Sequence, residues 1–149
     1  MDVFTAGWLA TYTDPTGAEF AVWQPGDVKG LEAVVEPNTL CWAELYTTDA
    51  TAVQDFYRSV FGWTYQDMTI GGELSYSVAS APGAGSGEDT AHGGVLQLQQ
   101  MHLDADSTSE WHPYFGVTDC DAMYQTATQI GATPLIASMD AAGIGGWRW

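Results

Sequence analysis

Apolar and polar positions alternate with a period of two along most of this chain, and the alternation gives way twice to a helical spacing. Residues 7–13 and 18–24 are β-rich runs on either side of Asp14-Pro15-Thr16-Gly17. In that turn Asp bonds its own backbone, Pro presets φ and Gly permits φ > 0, so a hairpin is predicted. Residues 25–38 are polar, with Gly and Pro at both ends, and predict a surface connector. A strand over 39–46 leads to Thr47-Thr48-Asp49, N-cap chemistry for a helix whose Ala52, Val53, Phe56, Tyr57 and Val60 recur at helical spacing; Gly62 is its C-cap. Residues 63–68 and 74–80 predict strands about Gly71-Gly72, 81–90 a Gly/Ser/Pro loop, and 93–99 another strand. Beyond an acidic linker at 104–110, residues 111–118 predict a strand and Asp119 or Asp121 caps a second helix. Met123, Ala127 and Ile130 face inward in that helix, and Gly131 closes it. A last strand is predicted over 133–137, before a Gly-rich end.

The two strand-Asp-helix-Gly-strand units repeat at an offset of 70 residues, from Asp49 to Asp119, which predicts an internal duplication. The first unit is followed by three strands and the second by one and a fragment; the hairpin the second lacks is the one that opens the chain. A length of 149 residues suits one compact domain.

Composition narrows the partners. Three basic residues against 19 acidic ones give a net charge of -16, which repels phosphate backbones and anionic membranes and attracts a cationic small molecule. Nucleic acid and membrane are therefore not expected partners. The first residues carry no basic stretch ahead of an apolar one, and no apolar run is long enough to span a bilayer. Cys41 and Cys120 have no CxxC or Cys/His spacing and predict buried thiols in a reducing cytoplasm. The glycines at 83–87 lack the Lys-Ser/Thr of a phosphate loop, and no GxSxG turn supports a serine nucleophile.

The runs Cys41-Trp42-Ala43-Glu44-Leu45-Tyr46-Thr47-Thr48-Asp49, Phe56-Tyr57, Phe61-Gly62-Trp63 and Tyr114-Phe115-Gly116-Val117-Thr118-Asp119-Cys120-Asp121-Ala122 resemble the vicinal oxygen chelate superfamily of glyoxalases, bleomycin-resistance proteins and dioxygenases, in particular its actinobacterial two-domain members. The resemblance implies an α+β fold of paired βαβββ modules forming a cupped eight-stranded mixed sheet. Residues 1–25 resemble the closing hairpin of the second module, 39–100 the first module, and 110–149 the start of the second, so the family order is permuted. A circular permutation within one chain, a homodimer that exchanges strands, or a piece of a longer two-domain protein would each account for this. An unpaired edge otherwise left on the second module favours the first two.

Metal-dependent members of that superfamily place four His, Gln or Glu ligands on the first, fourth, fifth and eighth strands. The matching positions here are Trp42, Leu96 or Gln97, His112 and Ala21, a set too poor for a divalent cation, so neither metal nor cofactor is expected. Strand alternation instead puts Trp42 and Glu44 on one face and His112 and Tyr114 on the equivalent face of the duplicated strand. These four are expected to converge, with Tyr76, Trp23 and Trp147 as further ligand-binding aromatics; His92 and His102 adjoin loops and face solvent.

Two functions of different classes follow. One is metal-independent binding of a flat aromatic or conjugated natural product, cationic in one variant, by sequestration as in the resistance proteins. The alternative is metal-free acid-base catalysis in secondary metabolism, an isomerisation, cyclisation or ring opening, with Glu44 and His112 as the catalytic pair. Metal-dependent lyase or dioxygenase chemistry ranks third.

Overall fold

The computed structural model describes residues 4–70, 74–83 and 91–135. Strands β1 (Gly7–Thr13) and β2 (Glu19–Pro25) form the predicted hairpin as a two-stranded sheet of its own. The turn is built as its residues require. Asp14 Oδ1 accepts from Thr16 N at 2.8 Å and Ala18 N at 3.2 Å, and Gly17 takes φ 101°.

A five-stranded mixed sheet follows from β3 (Leu40–Thr47), β4 (Thr64–Ile70), β5 (Leu74–Ser80), β6 (Ala91–Gln97) and β7 (Glu110–Phe115), in the order β4-β5-β6-β3-β7. Only β3 and β6 run parallel; the other neighbours are antiparallel. The protein is thus a mixed α+β fold, a five-stranded mixed sheet plus a two-stranded one. Among the described residues the hairpin pairs with no strand of the larger sheet.

Helix α1 (Ala50–Phe61) is capped by Asp49, whose side chain accepts from Ala52 N, and ends at Gly62, whose N–H donates to the Arg58 carbonyl from a left-handed φ of 72°. Its fully buried Val53 and Tyr57 pack on Leu45 of β3 and Val95 of β6. Val60, expected inside, is half exposed, because the face that meets the sheet is centred on the positions four apart, Val53 and Tyr57.

The hairpin closes this core from the other side. Ala18 is buried in it, and the Phe20 ring meets Phe56, Tyr57 and Phe61 at centroid distances of 5.9, 5.4 and 6.1 Å. The Tyr57 hydroxyl donates to Asp14 Oδ2 and accepts from Trp111 Nε1, each at 3.1 Å, tying hairpin, helix and β7 at one buried point.

Helix α2 (Gln100–Leu103) is a single turn. Helix α3 (Cys120–Gln129) is capped by Asp119, as expected, yet buries no residue. Met123 and Ile130, read as core, are 43% and 82% exposed, and Cys120 is exposed while Cys41 is half-buried. Among the described residues nothing covers the apolar side of α3, and the hairpin lies against α1. Residues 133–135 form no strand, and the remainder of that expected element lies outside the described residues.

Candidate functional site

The face of the large sheet opposite α1 carries the even-numbered residues of β3 and β7. Registers Trp42↔Tyr114, Glu44↔His112 and Tyr46↔Glu110 place six side chains there in two facing rows. On the other side of β3, Gly94 of β6 stands opposite Glu44, and Tyr76 of β5 opposite Leu96. A Cβ at Gly94 would collide with the Tyr76 hydroxyl, so the glycine is what lets that ring lie across the sheet towards Glu44.

Glu44, half-buried, is the centre of the group. Tyr114 donates its hydroxyl to Glu44 Oε2 at 2.6 Å, a short charge-assisted contact. A phenol has one proton, so across the 3.0 Å Tyr46–Tyr114 contact it is Tyr46 that donates. From the other side Trp42 Nε1 donates to the Tyr76 hydroxyl at 3.0 Å, and that hydroxyl in turn interacts with Glu44. Tyr46 and Tyr114 thus donate in series to one carboxylate, with the Trp42–Tyr76 pair beside it.

Burial first, then hydrogen bonding to Glu44 and its negative charge, hold the Tyr114 phenol well above the ordinary phenol range. Burial and then the Glu44 charge raise Tyr76 likewise, and burial raises Tyr46. All three stand as neutral hydroxyl donors.

The expected Glu44–His112 pair is adjacent in the backbone but not joined through side chains. The His112 ring stacks on Tyr46, centroids 4.4 Å apart. Its Nε2 lies 3.1 Å from Glu110 Oε1, within ion-pair distance but off hydrogen-bond geometry, which leaves that buried nitrogen without a hydrogen bond. Trp42 and Tyr76 come to the site as expected but only 7% exposed, so they form its floor, whereas Tyr114 is 40% exposed. Trp23 does not join them: its indole packs over Gly7 in the hairpin and donates to the Val28 carbonyl. Trp147 lies outside the described residues. His92, second residue of β6 and set edge-on to Trp63, and His102 in α2 are both exposed, as expected.

Tyr46 and Glu110 escaped the sequence reading. Their signal was present, since each stands two residues from a named site residue on the same strand.

The positions at which metal-dependent relatives carry ligands do not fit a metal ion here. Trp42 offers an indole N–H already engaged with Tyr76, and Ala21 offers no donor. Gln97 is turned to the start of α1, its Oε1 accepting from Ala50 N at 2.8 Å and its Nε2 donating to the Thr48 carbonyl at 3.0 Å, so it serves as a helix cap. Only His112 remains, and among the described residues no three His, Cys, Asp or Glu side chains gather in a way that would hold an ion. A cleft of about 510 Å³ is lined by Thr11, Tyr12, Thr13, Glu19, Phe20 and Ala21 of the hairpin and by none of the residues around Glu44. Among the described residues no helix is long and apolar enough to cross a membrane.

Known proteins share this sequence pattern. The chain is 32% identical over 135 residues to the anthracycline biosynthesis proteins DnrV of Streptomyces peucetius and DauV of Streptomyces sp. strain C5, an alignment covering 89% of this chain and 45% of each relative. It is 31% identical over 145 residues to CFP32 of Mycobacterium bovis, named as a candidate glyoxylase, covering 97% of this chain and 52% of that protein. The chain thus spans about half the length of these relatives. The family model for the glyoxalase-like domain matches residues 42–143, a stretch that takes in all but the first two residues of β3, α1, the rest of the large sheet and every residue around Glu44. With that match and the mixed sheet agreeing, the chain belongs to the glyoxalase-like domain family, within the vicinal oxygen chelate superfamily.

Proposed function

We propose that the face around Glu44 binds a flat, conjugated natural product without a metal ion, sequestering it. The ligand stacks on the exposed ring of Tyr114 and on the Tyr46–His112 pair, beside the Glu44 carboxylate. The observation that carries this reading is the array itself: four aromatic side chains whose polar atoms all lead to one carboxylate. No cation of the described residues opposes it, since Lys29 donates to the Gly26 carbonyl and Arg58 is paired with Asp55. The anthracycline biosynthesis relatives support the same ligand class, because an anthracycline is a flat fused-ring chromophore. The net charge of -16 adds a screened attraction for a ligand that carries a protonated amine.

Titration of tryptophan fluorescence with an anthracycline glycoside bearing an amine, and with its uncharged aglycone, tests the reading. Saturable quenching by both is expected, with the glycoside alone weakening as salt is raised. Tyr114→Ala is expected to weaken both about tenfold, roughly 1.4 kcal/mol. Quenching that does not saturate, or an unchanged affinity in Tyr114→Ala, removes the reading.

A further inference from the structure

We propose that Glu44 and Tyr114 form a metal-free proton-exchange pair that interconverts the keto and enol forms of a conjugated cyclic ketone bound on this face. The proposal rests on the ligand lying where the binding reading puts it, and goes beyond that reading by adding turnover.

The geometry is that of an acceptor and a donor sharing one proton. Glu44 meets hydroxyl donors rather than a cation, and Tyr114, the more exposed member, holds its proton against Glu44 Oε2 at 2.6 Å while accepting from Tyr46 behind it at 3.0 Å. A ketone seated with its carbonyl oxygen at the Tyr114 hydroxyl and its neighbouring C–H at Glu44 completes a closed cycle. The C–H proton moves to Glu44, the C–H electron pair forms the C=C bond, and the carbonyl π pair moves to oxygen. Tyr114, its O–H turned from Glu44 to that oxygen when the ketone binds, gives up its proton there and takes one from Glu44, so carboxylate and phenol end as they began. The ligand loses no electrons, and no co-reactant is needed.

The environment suits such a relay. Burial and the bond to Glu44 disfavour a free Tyr114 phenolate, so Tyr114 passes a proton on only as it receives one. Tyr46 is a positioning residue that fixes the Tyr114 oxygen. His112 takes no part, because its ring is stacked on Tyr46 and its Nε2 faces Glu110.

The test uses the full chain and 1-tetralone, a bicyclic aryl ketone, in D2O. Proton NMR follows loss of the signal from the ring CH₂ next to the carbonyl, and tryptophan quenching is read in the same samples. Exchange well above the buffer rate is expected. Glu44→Gln should return it to the buffer rate with quenching retained, Tyr114→Phe should slow it roughly 10²-fold, and His102→Ala, on the exposed turn α2 outside the site, should leave it within about twofold. If Glu44→Gln fails to fold, Tyr114→Phe decides, since it deletes one hydroxyl from a half-exposed ring. Exchange at the buffer rate overturns the proposal: if the anthracycline aglycone still quenches, the binding reading stands alone, and if neither probe quenches, both fall. Exchange that survives Tyr114→Phe, or that disappears in His102→Ala, overturns it as well.

Discussion

Around Glu44 a single missing side chain shapes the site. Because Tyr76 occupies the space a Gly94 Cβ would need, Gly94→Ala is expected to push the ring off the sheet, break the Trp42–Tyr76 bond and cost about 1–3 kcal/mol. Urea unfolding reads the loss of stability, and aglycone titration reads the loss of affinity; a variant as stable and as tight-binding as the parent would remove Tyr76 from the site. How much of this was legible in the sequence depends on what alternation encodes. A period of two says which side chains share a face, and it brought Trp42, Glu44, His112 and Tyr114 together correctly. It says nothing of where each side chain ends, which rests on rotamers. Hence His112 was read as the partner of Glu44, although it turns to Tyr46 and Glu110 and leaves the tyrosines to meet the carboxylate. Likewise Gln97 looked like a ligand candidate until its carboxamide was found at the start of α1.

Elements with matching sequence signals have unequal structural weight. Asp49 and Asp119 cap α1 and α3 with the same geometry, each accepting at 2.9 Å from the N–H three residues on. Yet α1 buries Val53 and Tyr57 whereas α3 buries nothing. Asp49→Ala is therefore expected to lower the stability of the whole fold by about 1 kcal/mol, and Asp119→Ala to fray α3 with little effect on the global urea midpoint. Equal shifts for the two variants would show that α3 is packed in solution. Helix caps, turns and strand positions were legible because they are local chemistry. The side of the molecule on which the hairpin docks was not, because it is decided by contacts such as those of Ala18 and Phe20 and the Asp14–Tyr57 and Thr16–Thr47 bonds, which join residues far apart in sequence. The expectation of Met123 and Ile130 as core failed for the same reason.

The molecule as a whole responds to alkali through its phenols. Burial holds Tyr46, Tyr57, Tyr65, Tyr76 and Tyr114 above their ordinary value, with Tyr65 pushed up to about 12. Their folded-state values are the higher ones, so their contribution to stability is complete below about pH 10 and declines as pH rises beyond it, that of Tyr65 being lost by about 12 and those of the more strongly raised Tyr57, Tyr76 and Tyr114 higher still. Circular dichroism and the absorbance of these five phenolates are expected to change together above pH 10; more than two phenolates appearing well before the fold is lost would contradict the burial of these rings, since only Tyr12 and Tyr124 stand outside the set. The bond between Asp14 and Tyr57 also bears on the order of events during synthesis. Its partners stand 43 residues apart, so the hairpin is made well before the helix it rests on. Until α1 has formed, Phe20 has the Tyr12 ring of its own hairpin but none of its helix partners to meet, and the hairpin is a marginal two-stranded ribbon with open edges. Docking it is a long-range closure, which makes the arrival of α1, rather than the turn at Asp14, the event that commits this end of the chain to its native place.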